Sequence, residues 1–139
     1  MRPPRPGSRW SSTRGRRRTS YDRYMHSAAW TRQRNRWLEE HYTRSEDPPL
    51  CAVCGDGRFE LHHLDYDRLG RETYDDLLPL CRQHHRALHD AWDASAQWRR
   101  LGRRTGSAGI VAQLRAWQRR PRQVQAVLSA QLSEGVTTR

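Results

Sequence analysis

Two pairs of metal ligands constrain this chain more than any other feature of its sequence. The first pair is Cys51 and Cys54, and Gly55 immediately after it allows the turn between them to close tightly. The second pair, Cys81 and His84, has the same spacing and follows after 26 intervening residues. One pair alone is weak evidence, but two pairs in this arrangement are typical of a structural zinc site with three Cys ligands and one His ligand. We therefore expect a small domain organised around a zinc ion.

The composition predicts a small core that a bound ion can stabilise. A chain of 139 residues is long enough for one compact domain with tails. Only 35% of the residues are hydrophobic and the mean hydropathy is -1.10, so apolar burial is limited. Structural zinc contributes roughly 10 to 16 kcal/mol of apparent binding free energy to small domains. A metal-stabilised fold is therefore favoured over one held together by its core alone.

The location of the protein is predicted from two patterns. The sequence has no run of 18 apolar residues and no apolar stretch behind its first charged residues, which argues against a membrane span and a signal peptide. We therefore expect a cytoplasmic protein. In that reducing compartment three cysteines favour metal binding over disulfides.

The charge of the chain is strongly positive and unevenly placed. The formal net charge is +11, with +7 in residues 1–21, 0 in 22–50, -3 in 51–90 and +7 in 91–139. Basic flanks that enclose a mildly acidic centre suit a polyanion, and arginine pairs bidentately with phosphate. We therefore expect nucleic acid as the partner. A merely solvated basic surface is the alternative, because the exclusive use of arginine over lysine also fits a GC-rich genome.

The first third of the chain divides into a tail and a helix. Residues 1–20 are rich in Pro, Gly, Ser and Arg, which predicts a disordered basic arm. Its arginine cluster, Arg16, Arg17 and Arg18, is a candidate nucleic-acid contact, although a solubilising tail has the same composition. Residues 21–42 contain no Pro or Gly and repeat large side chains at helical intervals, which predicts one amphipathic helix.

The remainder predicts an α+β domain with a helical extension. Residues 51–81 alternate short extended pieces with turns, and a helix is predicted over residues 82–100. The glycine-rich segment 102–109 is expected to stop that helix, and two shorter helices divided by a proline follow. We therefore expect one domain over residues 21–101 and a C-terminal helical extension over residues 102–139.

A second cluster of histidines lies in the same region as the zinc ligands. Five of the seven histidines fall within 28 residues, which exceeds what even scattering gives. His85 and His89 share one face of a helix, while His84 is turned about 100° away, so one helix can serve two metal sites. His62 and His63 point to opposite faces of an extended segment, so only one of them can join a given ion. His85 in place of His84 is the alternative for the fourth zinc ligand.

Three linked runs resemble the HNH endonucleases, in the branch whose site is framed by a zinc knuckle. The runs are CAVCG, HHLDYDRLGRE and DLLPLCRQHHRALH, within residues 22–90. The pattern HH-x-x-Y-x-x-x-G-x-E of that branch is met by His62, His63, Tyr66, Gly70 and Glu72. The resemblance implies the ββα-metal fold, in which a hairpin is followed by a helix with metal ligands, here flanked by helices and a disordered basic N-terminal arm.

The resemblance also implies roles for five residues. His63 falls on the general base, and His62, His85 and His89 fall on ligands of a catalytic divalent ion. Asp76 falls on the Asn that names the motif, and either fixes the loop that bears the base or assists the metal. The implied activity is hydrolysis of DNA phosphodiester bonds, because neutral imidazole accepts a proton from water near neutral pH.

Two features of the resemblance bear on the cofactors. His84 stands where that branch has a fourth Cys, and a zinc site with three Cys and one His tolerates the change. The catalytic ion is left open between Mg²⁺, Mn²⁺, Ni²⁺ and Zn²⁺, since histidine ligands favour transition metals while many nucleases use Mg²⁺ or Mn²⁺. Arg86, beside the ligands, is expected to reach the scissile phosphate.

Two alternatives to an independent endonuclease have the same sequence features. One is a zinc-stabilised module that binds nucleic acid without cutting it. The other is a subunit that acts only within a larger phage packaging or mobile-element complex. The sequence predicts neither the oligomeric state nor a recognition sequence.

Overall fold

A computed structural model describes residues 20–134 of the chain. It combines several helices with a small antiparallel sheet of two strands, so the predicted α+β class is confirmed. The predicted basic arm, with Arg16, Arg17 and Arg18, lies outside the described residues except for Ser20, which is helical. Within the described part no helix is both long and apolar enough to cross a bilayer.

The helices and strands follow a simple order along the chain. A short helical segment covers residues 20–25. It is followed by α1 (Ala28–Arg44), β1 (Glu60–His63), a 3-10 turn (Tyr74–Asp76), β2 (Leu77–Leu80), α2 (Arg82–Ala94), α3 (Ala96–Arg100), α4 (Arg103–Gln118) and α5 (Arg122–Glu134). Strands β1 and β2 pair antiparallel, with Glu60 opposite Leu80 and His63 opposite Leu77. The hairpin therefore leads directly into α2.

The long helix predicted over residues 21–42 is wrong in one respect, because it is interrupted at Ser27. Ser27 is extended, with φ of -91° and ψ of 158°, and its hydroxyl accepts a hydrogen bond from the Trp30 N–H at 3.2 Å. The same hydroxyl donates to the Tyr24 carbonyl at 2.6 Å. A serine that bonds to the backbone on both sides ends one helix and caps the next. The helical periodicity of the segment is otherwise as predicted.

The single helix predicted over residues 82–100 is also divided. Ser95 is extended and caps α3, since its hydroxyl accepts a hydrogen bond from the Trp98 N–H at 3.3 Å. The two C-terminal helices divided by Pro121 are confirmed as α4 and α5.

The predicted stop at Gly102 is confirmed, because α3 ends at Arg100, but the rest of the glycine-rich segment 102–109 is helix. Gly102 has a φ of +83°, a conformation that favours glycine and is not helical, and α4 begins at the next residue. A Cβ added at Gly106 would lie 2.5 Å from the Trp92 ring, and one at Gly109 would lie 2.3 Å from the Trp98 ring. These two glycines therefore let α4 pack closely against α2 and α3.

The core lies on both sides of the hairpin. On one side α1 places Trp30 and Trp37 against Leu61 and Leu77. On the other side lies a cluster from the hairpin, α2 and α4, consisting of Cys51, Leu80, Cys81, Leu88, Ile110 and Val111. Neighbouring residues of β1 therefore face two different environments, and α4 contributes directly to the second.

Candidate functional site

The first candidate site brings together the four residues predicted to bind zinc. The ligand atoms of Cys51, Cys54, Cys81 and His84 all lie within 4.8 Å of one another. His84 Nδ1 is 3.2 Å from Cys81 Sγ and 3.7 Å from Cys51 Sγ, and the Sγ atoms of Cys54 and Cys81 are 3.9 Å apart. A tetrahedral zinc ion requires about 3.8 Å between sulfurs and about 3.5 Å between sulfur and nitrogen. The four donors therefore fit one tetrahedral ion.

Backbone hydrogen bonds shape the turn that carries the first two cysteines. Gly55, with a φ of +76°, donates its N–H to the Cys51 carbonyl at 2.9 Å. The Cys51 N–H donates to the Asp56 carbonyl at 2.8 Å, and the Ala52 N–H donates to the Pro79 carbonyl of β2 at 2.8 Å. Backbone hydrogen bonds therefore close the turn and attach it to the hairpin.

The surroundings of Cys51 and Cys54 shift their thiol pKa values in opposite directions. Burial opposes ionisation of Cys51, but backbone N–H groups that include those of Cys81 and Cys54 lower its thiol pKa to about 6. Burial, together with the thiols of Cys51 and Cys81, raises the pKa of Cys54 to about 11. Cys51 and Cys54 are therefore not both thiolates at neutral pH without a compensating charge, which a divalent ion would supply.

The second candidate site joins three histidines from β1 and α2. The ligand nitrogens of His62, His85 and His89 lie within 4.8 Å of one another, so the structure brings the three predicted ligands together. His85 Nε2 and His89 Nε2 are 3.2 Å apart, close to the separation of about 3.3 Å that a tetrahedral ion requires. His84 faces the cysteines and His85 faces the histidines, so the structure places His84 as the fourth ligand of the first cluster.

The three imidazoles are suited to hold an ion at neutral pH. Burial, followed by the neighbouring His85 and His89, lowers the pKa of His62 to about 3, and burial also lowers the pKa of His89. Glu60 Oε2 lies 2.7 Å from His85 Nδ1, which leaves His85 Nε2 for an ion. Three protein ligands leave a fourth position open, as in catalytic rather than structural sites.

His63 is separate from this cluster and lies on the opposite face of β1. Its Nε2 is 2.9 Å from Glu72 Oε1, and the Glu72 carboxylate also accepts a hydrogen bond from the Tyr24 hydroxyl at 2.7 Å. Burial opposes ionisation of Glu72, but the hydrogen bonds from His63 and Tyr24 lower its pKa below the ordinary value. An ionised Glu72 fixes the proton of His63 on Nε2. The Nδ1 atom is buried and has no hydrogen-bond partner within residues 20–134.

Aromatic rings surround His63 and exclude solvent. The ring centroids of Trp30, Tyr66 and Tyr21 lie 4.9, 5.7 and 6.0 Å from that of His63. The residue is only 2% exposed. Water therefore reaches Nδ1 only when one of these rings moves.

Asp76 makes contacts that fix a loop. It is 1% exposed, and its carboxylate accepts hydrogen bonds from the Thr73 N–H at 2.8 Å, from Arg68 Nε at 2.7 Å and from Arg104 Nη2 at 2.6 Å. The Arg68 hydrogen bond, with those from Thr73 and Arg104, holds the pKa of Asp76 well below its usual range. The Asp76 carbonyl accepts from the Leu64 N–H at 2.9 Å, next to His63. Of the two predicted roles, these contacts favour fixing the loop over assisting the metal.

Helix α4 contributes two residues to the surroundings of the histidines, and neither was predicted there from the sequence. Ser107 Oγ is 3.4 Å from His62 Nε2, and Arg103 Nη1 donates a hydrogen bond to the Tyr66 hydroxyl at 3.2 Å. Arg86, which was predicted from the sequence to reach the scissile phosphate, directly follows His85 on α2 and is exposed. No local spacing signals the position of α4, because that position depends on packing against tryptophans of α2 and α3.

The comparisons with known proteins give one partial relative. No family model matches the sequence, and no solved structure matches the chain. A protein of Escherichia coli strain K12, named "Uncharacterized protein YdfU", is 41% identical over 61 residues. The match covers 41% of the present chain and 18% of that protein, so the chain spans less than a fifth of the relative's length.

Proposed function

We propose that this protein is a metal-dependent endonuclease of the HNH type that hydrolyses DNA. One observation carries the proposal: two adjacent residues of β1 enter two complementary chemical environments. His62 joins a cluster of three imidazoles, while His63 is held by Glu72 with its Nδ1 unpaired within residues 20–134. A structural protein has no need for both arrangements at the end of one strand. The Cys3His cluster is proposed to hold the zinc that stabilises this scaffold.

The proposed reaction uses His63 as the general base. Its Nδ1 accepts a proton from the attacking water, while the Nε2 proton remains bonded to Glu72, whose charge stabilises the imidazolium. His62, His85 and His89 would hold a divalent ion, which would supply charge neutralisation at the scissile phosphate and the departing oxygen. Attacking and leaving oxygens lie on opposite sides of phosphorus in an in-line displacement, so the proposal requires the phosphate to sit between His63 and the ion held by the three histidines.

The choice of substrate rests on charge and on the resemblance of the motifs. The net charge of +11 and the two arginine-rich flanks favour a phosphate polymer. The runs that resemble HNH endonucleases specify DNA within that class. The donor set of three imidazoles favours Zn²⁺ or Ni²⁺ over Mg²⁺, and Mn²⁺ is intermediate.

The burial of His63 favours one rival function. A side chain that is 2% exposed is what a zinc-stabilised module that binds DNA without cutting it would show. Cleavage requires that bound DNA displaces a ring of the surrounding aromatic group. A subunit active only within a larger phage or mobile-element complex gives a third outcome, in which cleavage by the isolated protein is feeble.

The test is cleavage of supercoiled plasmid by purified protein with Mn²⁺, Mg²⁺, Ni²⁺ or Zn²⁺. We expect His63→Ala to reduce the cleavage rate by about 10² to 10⁴-fold, the usual contribution of a general base, with zinc content retained. The melting temperature is expected to fall, because the variant leaves a cavity and takes the partner from buried Glu72, so cleavage is compared at a temperature where circular dichroism shows both proteins folded. His26→Ala, which replaces an exposed histidine, is the matched control and is expected to cleave normally. Plasmid that is bound but intact with every metal would support the binding module instead.

A further inference from the structure

The neighbours of Arg103 in the fold lie near the three-histidine cluster, although Arg103 follows His89 by 14 residues in the sequence. Ser107, four residues further on the same face of α4, approaches His62 Nε2 to 3.4 Å. Trp92, three residues after His89 on the same face of α2, has its ring centroid 5.4 Å from the Arg103 guanidinium carbon. Two independent neighbours therefore place Arg103 at the edge of this cluster.

The Arg103 guanidinium is held in a fixed place by an aromatic ring. Its central carbon lies 4.4 Å from the Tyr66 ring centroid, and Nη1 donates to the Tyr66 hydroxyl at 3.2 Å. The Tyr66 ring in turn lies 5.7 Å from the His63 ring. Arg103 is thus linked to the cluster on one side and, through Tyr66, to the proposed base on the other. Stacking on an aromatic face orients a guanidinium and leaves N–H groups free for an anion.

Arg104, the next residue of α4, has a structural role and differs from Arg103 in its contacts. Arg104 Nη2 lies 2.8 Å from Asp65 Oδ2 and 2.6 Å from Asp76 Oδ1, so its charge is neutralised by two carboxylates. Within residues 20–134 Arg103 has no ion pair with a carboxylate.

We propose that Arg103 binds the scissile phosphate at the three-histidine cluster. The inference rests on the proposed function and adds to it the residue that positions the phosphodiester. An unneutralised guanidinium between an ion cluster and a general base donates paired hydrogen bonds to two phosphate oxygens. It thereby holds the phosphorus between the attacking water and the departing oxygen, a role that the sequence had assigned to Arg86.

The test measures phosphate binding without cleavage. The Cys3His cluster is loaded with zinc and the three-histidine cluster with Co²⁺, whose visible spectrum reports its ligands. Inorganic phosphate is then titrated into wild type, Arg103→Gln and Arg86→Gln. We expect phosphate to shift the wild-type spectrum, and its dissociation constant to rise about tenfold in Arg103→Gln, the scale of a charge-assisted pair. Arg86→Gln, which removes an equal charge from the adjacent exposed surface, is expected to stay within about twofold of wild type.

The outcomes separate the two levels of the proposal. Failure of Co²⁺ to bind the three histidines overturns the proposed function, and the inference with it. Bound Co²⁺ with equal phosphate affinity in wild type and Arg103→Gln overturns the inference alone. Equal weakening by Arg103→Gln and Arg86→Gln also overturns it, because general electrostatic attraction then explains both.

Discussion

The two ligand clusters share α2 but differ in almost every physical property. The Cys3His cluster offers three sulfurs and packs with Leu80 and Leu88 in the core. The three-histidine cluster offers only nitrogen and is bordered by polar side chains, Glu60 and Ser107. A full tetrahedral donor set suits an ion that stays, while three ligands leave room for an exchanging one. Consecutive residues of one helix can therefore serve stability and chemistry separately.

The difference extends to what each cluster does without an ion. In the first cluster, burial together with the neighbouring thiols raises the pKa of Cys54 to about 11, so ionisation of this thiol at neutral pH requires a cation. In the second cluster, burial lowers the pKa of His62 to about 3, so this imidazole is neutral at pH 7 without an ion. Loss of zinc from the Cys3His cluster is therefore expected to unfold that region. Loss of an ion from the three-histidine cluster is expected to leave that cluster in place.

The largest expected effect is from Cys54→Ala. It removes one of four donors, and with it most of the roughly 10 to 16 kcal/mol that structural zinc contributes to small domains. We expect loss of bound zinc and of the cooperative thermal transition, measured by elemental analysis and circular dichroism. His84→Cys keeps four donors and is expected to retain both. An unchanged melting curve for Cys54→Ala would break the assignment of this cluster as the permanent site.

A smaller effect, confined to ion binding, is expected from His89→Gln. The variant leaves two histidines, so we expect the affinity for Ni²⁺ at this cluster to fall by at least about 10 to 100-fold. The melting temperature without added Ni²⁺ is expected to change little, because His89 is only partly buried. Isothermal titration of zinc-loaded protein measures the first quantity. Loss of zinc from the cysteines in this variant would show that the two clusters are not separate.

The smallest expected effect is a change in pH dependence from His62→Gln. The pKa of His62 in the folded state, about 3, lies below the ordinary value of 6.5. Between these values the unfolded chain binds a proton that the folded chain does not, so stability falls as the pH falls below about 6.5. We expect the variant to reduce the slope of unfolding free energy between pH 6 and 5 by about 1.4 kcal/mol per pH unit.

This pH measurement uses urea unfolding of protein with one equivalent of zinc and no other divalent ion. His26→Gln is the matched control, because His26 is exposed. Equal slopes in wild type and His62→Gln would contradict the account of His62 as a buried neutral ligand.

The ligand sets were predictable because their spacing is local. Two intervening residues in a turn, as in Cys51 and Cys54, and three on a helix, as in His85 and His89, bring the side chains of each pair together. The same helix geometry indicated that His84 and His85 point in different directions, but the choice of His84 as the fourth ligand of the Cys3His cluster required the structure. The prediction that β1 sends His62 and His63 to opposite faces also needed only the alternation of a strand.

The features that were missed depend on contacts that are distant in sequence or on competing hydrogen bonds. Ser27 and Ser95 end helices because their hydroxyls bond to the backbone, which helical periodicity does not register. Gly106 looked like a break, although it is where α4 meets Trp92. Tyr24, in the N-terminal helical segment, donates a hydrogen bond to Glu72. The two residues are 48 positions apart, and no pattern in the sequence indicated this contact.

The metal content of the purified wild-type protein tests the division between the two clusters most directly. Native mass spectrometry before and after dialysis against a weak chelator counts the ions that remain bound. We expect one zinc per chain to survive dialysis, and a second ion to bind when Ni²⁺ or Co²⁺ is added and to be removed by the same chelator. A chain that keeps no zinc, or that loses both ions at one chelator concentration, would contradict the account.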